Sequence, residues 1–256
     1  MIPAALTIAA SDPSGGAGIE ADLKVFARHR VFGMTAITAQ TVQNAAGLIE
    51  VHPTPAEVLR QILAALTQDQ PIRAIKIGAI PNPELVEVIA EFLAGRPQVP
   101  VVLDPVLKAS RGGALAEPEV VAAIKEKLLP RVTLFTPNYS EAEAFGLLQK
   151  PVADASDFQR MSFNLLGAKA VLVKGGHAPG SPADVLVFAK SYLVWKDRRL
   201  KGDFHGLGCA LSSAIAAHLA RGKNLTRAVE LSRAYVRRQM KKAVTAPGEV
   251  KVLTHT

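Results

Sequence analysis

The feature that most constrains this chain is the alternation of short β-branched runs with amphipathic helical stretches. Candidate strands fall at Leu6–Ala9, Thr35–Ala39, Ala74–Ile77, Val99–Leu103, Thr133–Phe135 and Ala170–Val173. Between them the apolar spacing predicts helices near 18–30, 55–67, 82–94, 117–128, 140–147 and 155–167. Such alternation implies a parallel sheet with helices on both faces. Val99-Pro100-Val101-Val102-Leu103 is apolar throughout, as a strand covered on both sides should be. Later the pattern changes: Asp184–Phe188 and Tyr192–Trp195, joined through Ala189-Lys190-Ser191, read as an antiparallel hairpin. Two helices follow, near 208–221 and 224–243. The expected fold is a three-layer α/β/α sandwich with a mostly parallel sheet and a late hairpin. With no repeat, linker or low-complexity stretch, residues 1–256 read as one domain.

Open α/β sheets collect ligands at the carboxyl ends of their strands. The segments following the strands read Ser11-Asp12-Pro13-Ser14-Gly15-Gly16, Gln40 to Asn44, Gly78-Ala79-Ile80, Asp104-Pro105-Val106, Thr136-Pro137-Asn138 and Lys174-Gly175-Gly176-His177. Polar residues and glycines gather at that one end, whereas chance punctuation would mark both.

Two glycine loops carry most of the chemistry. Gly16-Ala17-Gly18-Ile19-Glu20-Ala21 satisfies a loose dinucleotide pattern, but Ser11-Asp12-Pro13-Ser14 separates it from the strand. The acid expected at the second strand end is replaced by the amides Gln40, Gln43 and Asn44. This loop is either a flexible connection or a place where backbone approaches a ligand closely, with Asp22 just inside the next helix. The second loop, Asp203-Phe204-His205-Gly206-Leu207-Gly208-Cys209, opens a helix of small residues. Helix starts leave N–H groups unpaired and favour anions, so Gly206, Leu207, Gly208 and Cys209 form a candidate phosphoryl site. Cys209 is either a thiol acidified by that helix start or a small buried hydrophobe. His177 and His205 read as loop or core histidines.

Composition closes off several classes. A single cysteine excludes an internal disulfide framework and a C-x-x-C zinc site. No apolar run is long enough for a membrane span, and Met1-Ile2-Pro3-Ala4 lacks the start of a secretion signal, so a cytoplasmic protein is expected. The net charge of +8 is concentrated late, at Arg221, Lys223, Arg227, Arg233, Arg237, Arg238, Lys241 and Lys242. Only Tyr235 interleaves with it, so a solvated helix face is the reading and no nucleic-acid partner is expected.

At the two loops the sequence resembles a known family: the hydroxymethylpyrimidine and hydroxymethylpyrimidine-phosphate kinases of thiamin synthesis, in the ribokinase-like superfamily. The stretches "LTIAASDPSGGAGIEADLKVF", "ITAQTVQN", "KIGAI", "VVLDPVL", "TPNYSEAEA", "VLVKGGH" and "HGLGCALSSAIAA" occur in the family's order over nearly the whole chain. The resemblance implies an ATP- and Mg2+-dependent phosphotransferase with a small pyrimidine substrate, and allows a homodimer. It places Cys209 at the catalytic position and the Gly206 to Cys209 N–H groups in an anion hole. Asn138 and Glu141 would meet phosphate and Mg2+, although Asn138 with an acid three residues on is also a helix N-cap pattern. Asp104 is a second metal candidate, and Lys174 would meet ATP phosphates. On the substrate side stand Asp22, Gln43, Ala79 and Val106.

Four departures from the family bear on substrate. Leu207 replaces a usual Thr, Ser110-Arg111-Gly112 a usual K-S-G, Ala79 a usual Met and Ala10 a usual Gly. They leave two further readings beside the pyrimidine kinase: a pyridoxal or pyridoxine kinase on the same fold, and a non-catalytic pyrimidine binder. The presence of Cys209, Asn138, Glu141, Asp104 and Lys174 argues against the binder.

Overall fold

The computed structural model describes residues 2–44, 47–68, 71–147, 165–176, 183–246 and 250–256. Its centre is a nine-stranded sheet in the order β3-β2-β1-β4-β5-β6-β7-β8-β9. The inner strands are β1 (Ala4–Ser11), β2 (Phe32–Asn44), β4 (Ile72–Ile77), β5 (Val101–Leu103), β6 (Leu134–Phe135) and β7 (Val171–Val173), all parallel to one another. Antiparallel pairing is confined to the two flanks, where β3 (Gly47–Pro53) joins β2 and β8 (Ala183–Phe188) and β9 (Ser191–Lys196) extend β7.

Helices cover both faces. On one lie α1 (Gly18–Arg28), α6 (Leu207–Ala220) and α7 (Leu225–Lys242), with Val25, Phe26, Ala210, Ala214, Ile215 and Tyr235 in their shared core. On the other lie α2 (Ala56–Leu66) and α3 (Pro83–Ala94), burying Leu59, Leu63, Leu85, Val86 and Ile89. Each such aliphatic side chain contributes about 1.5–3 kcal/mol when fully buried. Helix α6 is sandwiched between the sheet and α7, and its alanines and serines are buried on nearly every side. A helix enclosed in this way shows no amphipathic stripe, which is why small residues rather than periodicity mark it in the sequence.

The three-layer sandwich and the late hairpin are as expected, with differences at the edges. Gln40 to Asn44 do not form a loop after the second strand. They continue β2 beyond the sheet and pair with β3, so a second hairpin overhangs the carboxyl end. Its alternation of β-branched and polar residues supports pairing without a buried face to announce it. The helix expected at 117–128 is broken into α4 (Val120–Ala123), a wide turn at Ile124–Leu128 and a tight turn at Leu129–Arg131. Pro130, which has no N–H to donate, stands where the helix would continue. Helix α5 (Tyr139–Ala144) stops just before Gly146, whose φ of 73° is left-handed. The helix expected at 155–167 falls mostly outside the described residues, as does His177. A small sheet, β10 (Phe204–His205), β12 (Lys251–Val252) and β11 (Val244–Thr245), in that order, has no counterpart in the sequence reading.

Candidate active site

The first glycine loop closes on itself. Asp12 lies at its centre and is 2% exposed. Its Oδ1 accepts from the Ser14 N–H at 2.9 Å and the Ser14 hydroxyl at 2.7 Å. Its Oδ2 accepts from the Ala17 N–H at 2.8 Å and contacts His205 Nε2 at 2.9 Å. Burial works against this charge, but the hydrogen bonds from His205 and Ser14 hold the carboxyl down at about 2. Glu20 binds the Ser11 hydroxyl and the Asp12 N–H from the other side. The Ser14 and Ala17 N–H groups, and the Gly15 N–H through the Asp12 carbonyl, are thus spent inside the loop rather than open to a phosphate.

The second loop is open. Gly206 caps α6 with φ of 79° and without any side-chain hydrogen bond. The N–H groups of Leu207, Gly208 and Cys209 therefore lack intrahelical partners at the positive end of a 14-residue helix. The two loops are pressed together. A Cβ on Gly206 would stand 1.9 Å from the Gly16 carbonyl oxygen, and one on Gly16 would stand 2.3 Å from His205 Cδ2. Glycine is required at both positions by contact, and at Gly206 by backbone conformation as well.

A charged cluster faces this helix start. A Cβ on Gly208 would lie 3.2 Å from Asp104 Oδ2 and 3.4 Å from Lys174 Nζ. Asp104, fully buried at the end of β5, accepts from Lys174 at 2.6 Å and from the Ser212 hydroxyl at 3.1 Å. Burial opposes the charge on Lys174, but Asp104 and Glu141 outweigh it and raise its pKa. Glu141 is pushed up to about 7, first by burial and then by Asp104, against the pull of Lys174 and the Asn138 N–H. Asn138 and Glu141 form a reciprocal capping box at α5, with bonds of 2.9 and 2.6 Å. The capping pattern is therefore real, and it delivers the Glu141 carboxylate to the field of Asp104 and Lys174. Asn138 also bridges Lys174 through the backbone.

Two expectations need correction. Cys209 is not acidified by the helix start. Burial pushes its thiol up to about 11, with Asp22 and Asp104 adding to the effect, and neither Lys76 nor the Gly18 N–H compensates. Nor does Asp22 face the cleft. It is fully buried beneath it, bonded to the Thr7 hydroxyl at 2.6 Å, Lys76 at 2.8 Å and the Ser213 hydroxyl at 2.5 Å. Lys76 is itself fully buried, and Asp22, Cys209 and Asp104 together outweigh the burial that would lower its pKa. Its sequence signal was a lysine between Ile75 and Ile77 in a strand covered on both sides.

Ala10 in β1, Ala39 in β2 and Ala79 just after β4 form a small buried cluster with Val51, Val106 and Leu115 packed against it. Ala79 and Val106 are thereby brought together with Ala10. Gln43 stands half-buried in the overhanging hairpin, opposite Leu48. That hairpin is fastened below. The Leu48 N–H donates to the Arg111 carbonyl at 3.0 Å, and Arg111 binds the Asp203 carboxylate through Nε at 3.0 Å and Nη2 at 2.5 Å. Asp12, Lys76, Ser212 and Ser213 are parts of the site that sequence reasoning passed over. Besides Lys76, only Asp12 had a signal, the Asp-Pro-Ser turn pattern.

Residues 12–253 match the family model for phosphomethylpyrimidine kinase. The hydroxymethylpyrimidine/phosphomethylpyrimidine kinase of Haemophilus influenzae is 38% identical, across 90% of this chain and 88% of its own. The enzyme of the same name from Aquifex aeolicus is also 38% identical, across 93% and 94%. Among solved structures, the ADP complex of Bacillus subtilis pyridoxal kinase superimposes with a TM-score of 0.89 at 30% identity, covering 100% of this chain and 98% of that one. Phosphomethylpyrimidine kinase of Clostridium difficile gives a TM-score of 0.81 at 36% identity, covering 93% and 99%.

Proposed function

The chain belongs to the phosphomethylpyrimidine kinase family, and from that premise we propose that it phosphorylates 4-amino-5-hydroxymethyl-2-methylpyrimidine and then its monophosphate with ATP, in thiamin synthesis. It is a phosphotransferase of the ribokinase-like fold. The observation that carries the reading is the placement of the Asp104–Lys174 pair against the open N–H groups that begin α6. The flat pyrimidine ring would lie against the Ala10, Ala39 and Ala79 cluster, with the Gln43 amide toward its polar edge. The hydroxymethyl oxygen, or the phosphate oxygen in the second step, attacks the γ-phosphorus while its bond to ADP breaks, and the hydroxyl proton released in the first step passes to solvent.

Catalysis of this transfer is mostly positioning and charge neutralisation. The α6 N–H groups and Lys174 meet the charge on the transferring oxygens. Cys209, as a thiol, holds the substrate hydroxyl in place rather than ionising before it. Asp104 and Glu141 would hold Mg2+ together with ATP phosphates. Carboxylates suit a hard cation that keeps substrate oxygens among its ligands, and Glu141 lies near enough to Asp104 for the two charges to repel. Bound there, the ion would neutralise the developing phosphate charge.

A second reading rests on one observation. Bacillus subtilis pyridoxal kinase superimposes over the whole chain. Coupled ADP release with Mg-ATP decides between them. Turnover on the pyrimidine and its monophosphate supports the proposal, turnover on pyridoxal alone shifts the assignment to pyridoxal, and turnover on none removes the kinase reading.

A further inference from the structure

The loop that opens α6 is held from behind by a segment with no residue in the cleft. Residues 250–256 run beside it. β12 pairs in parallel with β10, Lys251 opposite Phe204 and Val252 opposite His205. The Lys251 N–H donates to the Asp203 carbonyl at 2.8 Å, and Lys251 Nζ lies over the Phe204 ring, 5.5 Å from its centroid. β10 in turn supplies His205 to Asp12 and leads directly into Gly206. The backbone entering the anion cradle thus has its sheet partner in a strand remote in sequence.

The far end of that segment is anchored in a buried cluster between α1, α6 and α7. Leu253 is buried in the core shared by those helices. His255 Nδ1 meets the Tyr235 hydroxyl at 2.8 Å, and the Gln239 side-chain amide donates to the Thr256 carbonyl at 3.0 Å. His29 packs edge-on against His218 at 4.8 Å and against Tyr235 at 4.6 Å. His255 has φ of 59°, a left-handed conformation that a non-glycine residue keeps only where its surroundings hold it.

We propose that residues 250–256 are a positioning strap for the phosphoryl-transfer loop, with His255 and Tyr235 as its anchor and the Lys251–Asp203 backbone bond as its link. The strap touches neither substrate nor ATP. It fixes where β10 ends, and hence the angle at which the Leu207, Gly208 and Cys209 N–H groups meet the transferring group. Displacements of about 1 Å at such a site can cost on the order of 100-fold in rate.

Two variants attack the strap at its two ends: Lys251→Pro removes the linking N–H, and His255→Ala removes the anchor. The turnover arm rests on the kinase reading above, whereas amide hydrogen exchange does not. Both variants are expected to speed exchange at 203–206 and at Ala210, whose N–H donates to the Gly206 carbonyl, by about 10-fold while leaving β1 and β4 protected. Both are expected to lower kcat on the pyrimidine by about 10-fold, with KM within about twofold. Unchanged exchange at those amides in folded variants would overturn the proposal, as would faster exchange there with undiminished kcat. Exchange raised equally in β1 and β4 would also overturn it, because the segment would then be only a general stabiliser. If the unaltered protein turned over neither pyrimidine nor monophosphate, the kinase reading would fail, and the exchange result alone would decide the strap.

Discussion

The two glycine loops at the carboxyl end of the sheet look alike in sequence and do opposite work. Ser11 to Gly18 spends the N–H groups of Ser14, Gly15 and Ala17 on its own Asp12, and it ends as a compact brace. Gly206 to Cys209 has no such internal acceptor and leaves its first-turn donors open. Glycine content therefore says nothing by itself about anion binding. What separates the loops is a buried carboxylate in the first and its absence from the second. The two loops also hold each other in place, because Gly16 and Gly206 touch and His205 bridges to Asp12.

Breaking the cradle should have the largest effect. Gly206→Ala places a methyl group 1.9 Å from the Gly16 carbonyl oxygen at a left-handed residue. Turnover should fall by about 100- to 1,000-fold, the scale of losing an oxyanion donor, as read by steady-state ADP release. Within the cradle, Cys209→Ala should lower kcat by roughly 10- to 100-fold with the fold intact. Cys209→Ser should keep most activity, since a thiol pushed up to about 11 acts here without ionising. Equal losses in the two variants would restore the thiolate.

Loosening the brace should cost less turnover and more stability. Asp12→Asn keeps the shape but weakens the bonds to His205 and Ser14, so about 1–3 kcal/mol should be lost in urea unfolding, with roughly a tenfold drop in kcat. Gly15→Ala sharpens the contrast. Its φ of 74° also disfavours a side chain, but its Cβ would meet only the mobile end of Lys24, at 3.2 Å. About 1–2 kcal/mol of stability should be lost while kcat stays within about twofold.

A pH dependence of stability comes from the buried histidine cluster between α1, α6 and α7. Burial holds His218 and His255 at about 4 and also lowers His29, with Arg221, Lys223, Arg227, Arg28, Arg238 and Lys24 adding repulsion from the surrounding elements. The unfolded chain takes up these protons near pH 6.5, and the folded chain does not until about 4. Stability from the neutral imidazoles is complete above about 6.5 and declines as pH falls toward 4, by on the order of 1 kcal/mol per pH unit for each histidine. Urea midpoints measured across that interval check it.

The inner strands and the late hairpin were legible because burial on both faces leaves continuous apolar runs such as Val101-Val102-Leu103. The β2–β3 hairpin was not, since it overhangs the sheet and Gln40 to Asn44 look like a loop. At the site, Asp104, Glu141, Lys174 and Gly208 are near in sequence to strand or helix ends, where the topology of an α/β sheet concentrates chemistry. Asp22 misled for a physical reason: a carboxylate one turn into α1 sits beside the cleft in sequence, but Thr7, Lys76 and Ser213 surround it from three other elements. Partners so distant in the chain leave no local pattern. The same holds for the burial that raises Cys209.

The most direct test of the division between brace and cradle is the amide NMR spectrum of the protein on titration with Mg2+ and a non-hydrolysable ATP analogue in the presence of the pyrimidine. The N–H signals of Leu207, Gly208 and Cys209 should shift strongly and saturably, while those of Ser14, Gly15 and Ala17 move little. Large shifts at Ser14 to Ala17 with Leu207 to Cys209 unmoved would mean that the first loop is the phosphate cradle after all.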